Sequence, residues 1–374
     1  MANKFNSDLL LNADDEEYLR SQYPDIADRI IWPELKAAFE EHEERAKATK
    51  RMSRRSCFVG ISFVILSLFT TLMTTSELSH THLEANPHLS DWLAGAAAIL
   101  LVLGLVLGRG FVLSAKRDEW LAARQQAERL RQFYFQFMVV HADLVCTGGE
   151  RAAKKWNEVR NKELERARKT ISGNTYTEKI KNDQQLDETF LVGQAQVVAT
   201  CQPLTMNQSL FTQFKAYYRE FRIDWQEDYV NLQFNEGAAP LPIFGSLFER
   251  EKASNVVESV ATIGIVLLQA GAVISQLVGE TGSPTTGALV LGSSVLAIVI
   301  VGLHAFRDGT AVTSDLLRYR HYRSHLEYAR RLFDEADRAE DTAAVIQAAL
   351  RIEEAAYFEL REFLIEHSKL KLSL

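Results

Sequence analysis

Apolar positions in this chain gather into four blocks, residues 57–75, 92–113, 256–278 and 286–306. Each block is close to the ~20 residues that a helix needs to cross a hydrocarbon core of about 30 Å. Outside the blocks the pattern becomes one-sided. Leu316, Tyr319, Tyr322, Leu326 and Ala329 recur at three- and four-residue intervals, which predicts an amphipathic helix over 311–336. Ile346, Leu350, Glu354, Tyr357 and Leu360 mark a last helix over 342–367. Trp32-Pro33-Glu34 reads as a helix start, since Pro is tolerated in a first turn, and 34–55 runs from there without a breaker into the first block. Residues 116–140 lack Gly and Pro and prolong the second block in the same way, as 311–336 prolong the fourth.

The result is a duplicated plan: charged helix, span, short turn, span, long charged helix. The expected fold class is therefore mainly α, a polytopic membrane protein with two transmembrane helical hairpins. Its expected parts are acidic N-terminal helices (1–55), a first hairpin (56–113), a helix (114–140), an insert (141–249), a second hairpin (250–306) and C-terminal helices (307–374). Within the insert, 191–201 alternates enough for a strand and 210–229 predicts a helix.

Charge sets the orientation. Lys47, Lys50, Arg51, Arg54 and Arg55 precede the first block, and Arg109, Lys116 and Arg117 close the second. Arg250 and Lys252 precede the third, and Arg307, Arg318 and Arg320 follow the fourth. The connections 76–91 and 279–284 contain no Lys or Arg, so the positive-inside rule places both outside and both termini in the cytoplasm. The averages, 374 residues, 47% hydrophobic and a net charge of -7, would suit a soluble protein equally well and decide nothing. Cys57, Cys146 and Cys201 form no CxxC and read as free thiols.

Two constellations carry candidate chemistry. In 210–229, Phe211, Phe214, Tyr218, Phe221 and Trp225 make a packing seam, for a core or a subunit contact. Lys215, Arg219 and Arg222 form a basic line on another face with Tyr217 beside it, and Lys179 and Lys181 lie upstream. Cations interleaved with aromatics suit phosphate neutralisation and base stacking, while a solvated face is the plainer reading. In the third block, Thr262, Gln269 and Gln276 repeat every seven residues with Glu258 one turn before. Polar groups at that depth should face protein or water, so they either line an ion path or bond between helices. On a symmetry axis Glu258 would form an acidic ring favouring cations. Arg318, Arg320 and Arg323 lie beyond the fourth block, and acidic neighbouring helices are their expected partners.

Gly104 and Gly108 predict a close helix contact. His80, His82, Glu84 and His88 read as a solvated loop, with no ligand framework for a metal. The chain contains no P-loop, HExxH, GxSxG or kinase motif, which lowers the expectation of an enzyme and of a cofactor.

This layout resembles the SLATT-type membrane effectors of bacterial conflict systems. Residues 43–55 with the first hairpin and 116–140 look like one copy, and 249–254 with the second hairpin and 311–336 like another. The two-hairpin form looks most like the channel effector of the Hailong defence system. The resemblance implies an oligomeric, ligand-gated ion channel of the bacterial inner membrane, a tetramer, acting in anti-phage defence. It also implies control by a cyclic nucleotide or DNA oligonucleotide from a partner nucleotidyltransferase. A non-conducting membrane scaffold that recruits a cytoplasmic partner is the alternative.

Overall fold

The computed structural model describes residues 8–9, 13–75, 87–109, 111–172, 206–235, 245–278 and 284–369. They are helical almost throughout, with no strand among the described residues, so the chain is mainly α as expected. The expected strand at 191–201 lies outside the described residues. In order the helices are α1 (Ala13–Gln22), α2 (Ala27–Ile30), α3 (Pro33–Thr75), α4 (Pro87–Arg109), α5 (Phe111–Val140), α6 (Ala142–Val145) and α7 (Glu150–Ser172). Then come α8 (Gln208–Tyr218), a π-helical turn (Arg219–Asp224), α9 (Trp225–Phe234), α10 (Leu247–Leu277), α11 (Pro284–Thr310), α12 (Val312–Arg338) and α13 (Thr342–Lys369).

The chain divides into two compact units. The first comprises Met1–Ala48, Asp118–Gln233 and Asp315–Ser368. Its core is built from the apolar stripes read in the sequence. Leu316, Tyr319, Tyr322, Leu326 and Ala329 of α12 are all buried, as are Ile346, Tyr357 and Leu360 of α13. Of the seam, Phe211, Phe214, Tyr218 and Phe221 are buried and Trp225 is half-buried, so it packs as core. Helix ends are closed by side chains. Trp156 Nε1 and Arg160 Nη1 of α7 donate to the Arg29 carbonyl at 2.9 and 3.1 Å, supplying partners where α2 runs out of its own. Arg29 in turn donates to the carbonyls of Leu144 and Val145 at the end of α6.

The second unit comprises Thr49–Arg117, Phe234–Ser314 and Lys369–Leu374. α3 starts at Pro33 and continues unbroken to Thr75, so the expected run from charged helix into apolar helix is present. Within this unit α3 and α4 approach closely. A Cβ on Gly104 would lie 2.7 Å from Val64 Cγ2 and 3.0 Å from the Gly60 carbonyl, so only a hydrogen fits. Ser67 Oγ donates to the Ala97 carbonyl at 2.7 Å across the same contact. α10 begins with a capping box, Ser246 and Glu249 each taking the other's backbone N–H.

Among the described residues, three helices are long and apolar enough to cross a membrane: α3, α10 and α11. Along the second expected span, the apolar stretch among the described residues is Asp91–Gly104 of α4, which is shorter. Large apolar side chains stand open around α10, Val260 at 65% and Leu267 at 66% exposure. An apolar surface of that extent is what a lipid-facing helix presents.

One sequence expectation needs correction. Residues 311–336 were expected to prolong the fourth block, yet Ala311 sits at φ 54° and separates α11 from α12. A left-handed residue cannot continue a right-handed helix, so α11 ends before it and α12 starts after it.

Candidate ligand and permeation residues

The basic line of 210–229 does not stay on one face. α8 is capped by Asn207, whose side chain accepts from the N–H groups of Ser209 and Leu210. After Tyr218 the backbone widens into a π-helical turn, whose extra residue rotates everything beyond it. Arg222 is thereby carried into the interior, at 1% exposure, where Glu353 of α13 accepts from Nε at 2.9 Å and from Nη2 at 2.6 Å. Burial alone would pull the Arg222 pKa down, but the adjacent Glu353 carboxylate outweighs it and holds it above its ordinary value. Tyr217 is interior as well. Its hydroxyl lies 2.9 Å from that of Tyr134, and burial followed by the Tyr134 interaction raises its pKa.

Arg222 and Tyr217 therefore hold helices together, which corrects the expectation that they meet a ligand. A buried, paired side chain has no surface to offer one. Lys215 and Arg219 remain partly open. Lys215 Nζ pairs with Asp337, and Arg219 Nη2 pairs with Asp334 at 3.2 Å. Lys179 and Lys181 lie outside the described residues. Arg318 meets acids as expected, Asp315 at 2.9 Å and Glu359 of α13.

Sequence reasoning missed a second polar cluster inside the first unit. Asp8 is fully buried 3.1 Å from Arg131 Nε, and Arg131 also pairs with Glu128 at 2.8 Å. Arg124 bridges Glu128 at 2.6 Å to Glu43 of α3 at 3.1 Å. Burial pushes Asp8 up to about 6 against the opposing pull of Arg131. The spacing Arg124, Glu128, Arg131 was a visible helical signal, but nothing in it names Asp8 or Glu43 as partners.

In the second unit, polar contacts tie α10 to α11. Glu258 accepts from Arg307 Nη1 at 3.0 Å and lies 3.4 Å from His304 Nε2. Gln269 Nε2 donates to Ser293 Oγ, and the hydroxyls of Ser275 and Thr286 lie 2.8 Å apart. Thr262 and Gln276 occupy the open side of α10 and make no side-chain hydrogen bond among the described residues. The four candidates thus divide: Glu258 and Gln269 bond within the hairpin, while Thr262 and Gln276 are exposed and do not. Among the described residues no group of three or more His, Cys, Asp or Glu could hold a metal ion.

Comparison with protein-family models, with curated proteins and with solved structures returns no match.

Proposed function

We propose that this chain is the subunit of a homo-oligomeric, ligand-gated ion channel of the bacterial inner membrane, with four spans in two hairpins and both termini in the cytoplasm. The reading extends to an abortive-infection effector whose opening depolarises the cell. Its gate would respond to a nucleotide or DNA oligonucleotide made by a partner nucleotidyltransferase, and no catalytic residue is assigned. The observation that carries it is the polar line on α10. Thr262, Gln269 and Gln276 stand exposed along a stretch of α10 whose other exposed side chains are mainly Val, Ile and Leu. In lipid such groups are costly, and a water-filled path shared by several subunits removes the cost. For the ligand, Arg219, at 41% side-chain exposure, and the more covered Lys215 remain candidates although each has an acidic partner, and Lys179 and Lys181 belong to the same insert. A ligand gates only by binding one state better than the other.

Glu258 and Gln269 favour the second reading, a non-conducting scaffold, because both are engaged within the hairpin. Membrane potential separates the two. It is recorded in cells expressing the chain alone, then with the partner nucleotidyltransferase, then under phage challenge. Depolarisation that depends on the partner supports the channel. A steady potential in all three overturns it in favour of the scaffold.

A further inference from the structure

Within the first unit, α7 and the start of α3 each carry charge mainly of one sign on the face opposite their core contacts. On α7 the buried side is Trp156, Arg160 and Leu164. Opposite them, Arg151, Lys155, Lys162, Arg166 and Lys169 fall within about 60° of arc and run for about 27 Å along the axis. One acid, Glu158, lies among them, and Arg166 is paired to Glu163 of its own helix. Among the described residues, Arg151, Lys155, Lys162 and Lys169 have no ion-pair partner. On α3 the buried side is Leu35, Phe39 and Ala46. Opposite them, Glu34, Glu40, Glu41 and Glu44 are all exposed within about 120° of arc, over about 15 Å. These four also lack ion-pair partners among the described residues. α7 and the start of α3 are neighbours, since Trp32 Nε1 donates to Asn161 Oδ1 at 3.2 Å.

We propose that the acidic stripe of α3 in one copy docks on the basic stripe of α7 in a second copy. Two different, complementary patches on one subunit make a head-to-tail contact, and such contacts close into rings when the rotation permits. Single exposed ion pairs contribute little, so the contact draws on several pairs at once and is weakened by salt. It rests only on the homo-oligomer part of the reading above and holds for a scaffold as well as for a channel.

The experiment uses the full chain with two different affinity tags, co-expressed, solubilised in detergent and purified through one tag while the other is counted. Lys155→Glu/Lys162→Glu in both copies should lower recovery of the second tag about tenfold, the scale of a few lost surface pairs. Glu41→Lys/Glu44→Lys should do the same. Co-expressing one variant with the other should restore recovery, because the opposed stripes are complementary again. Recovery unchanged by either pair, or lost without restoration in the mixed complex, overturns the proposal. Loss of binding to a labelled single-stranded DNA 20-mer with self-association intact also overturns it and makes the α7 stripe a nucleic-acid face. The milder Lys155→Gln/Lys162→Gln, checked for unchanged helicity, provides the same comparison if reversal impairs folding. Intact restoration with no depolarisation would sink the channel and leave this contact standing.

Discussion

The guanidinium of Arg222 and the carboxylate of Glu353 face each other on two prongs inside a helical core, both shut off from solvent. Tyr218 donates a third hydrogen bond to Glu353 Oε1 at 2.7 Å, and the ring of Phe135 lies 4.5 Å from the guanidinium carbon. Removing one partner strands a charge in a medium that solvates it poorly. Arg222→Met should therefore cost about 3–5 kcal/mol of stability, the range for a broken buried pair. Replacing both partners, as Arg222→Met with Glu353→Leu, should recover much of the loss. Thermal unfolding of the detergent-solubilised chain, followed by Trp fluorescence, gives the comparison. A double variant as unstable as the single one would show that the pair does more than neutralise itself.

Asp8 gives the first unit a dependence on pH. Its carboxyl is raised to about 6 when folded and returns to its ordinary value, near 3.8, when unfolded. The folded state then binds the proton more tightly, so this group's contribution to stability is most favourable below the unfolded value. That contribution falls as pH rises from about 4 to 6 and stays low above it. Asp8→Asn, which keeps the shape without the charge, should remove this dependence, so that its unfolding temperature relative to the wild type is several degrees higher at pH 8 than at pH 4. An equal effect at both pH values would mean that Arg131 neutralises Asp8 fully.

How much of this was legible in the sequence depended on whether a local period decided it. The start of α3 at Pro33, its run into an apolar helix, and the burial of Leu316 through Ala329 all follow from spacing along one helix. Gly104 was legible for the same reason, since a small residue in an apolar run leaves room for a neighbour. The inward turn of Arg222 was not. The sequence placed it three residues from Arg219 on an α-helical face, and the π-helical turn breaks that phase. The partner that Arg222 meets inside is Glu353, far away along the chain, and no period connects the two. Asp8 with Arg131 was hidden likewise, because a buried ion pair between distant segments leaves no local pattern.

Ala311 carries a left-handed φ of 54° with its side chain buried at 3% exposure. A Cβ in that conformation costs roughly 1–2 kcal/mol, which glycine avoids. Ala311→Gly should raise stability by about 1 kcal/mol or leave it unchanged, the loss of one methyl contact offsetting part of the gain. Ala311→Val should lower stability, since a β-branched residue tolerates positive φ less well. Unfolding curves of the three chains rank them, and a Val variant as stable as wild type would mean that α11 and α12 can join without the turn.

The polar residues of α10 separate packing from permeation, because only some of them are bonded within the hairpin. Gln269 donates to Ser293 of α11, so Gln269→Leu should weaken the α10–α11 contact by about 0.6 kcal/mol, the mean for such bonds in a membrane protein. Thr262→Leu with Gln276→Leu removes no side-chain hydrogen bond among the described residues and should leave the hairpin as stable as before, or slightly more so in lipid. Stability is read from unfolding in mixed micelles and conduction from ion flux in reconstituted vesicles. If the channel reading is correct, Thr262→Leu/Gln276→Leu abolishes flux with stability intact, while Gln269→Leu lowers both. Normal flux from the double variant would remove the open face of α10 from any conducting path and leave Thr262 and Gln276 to contacts between subunits.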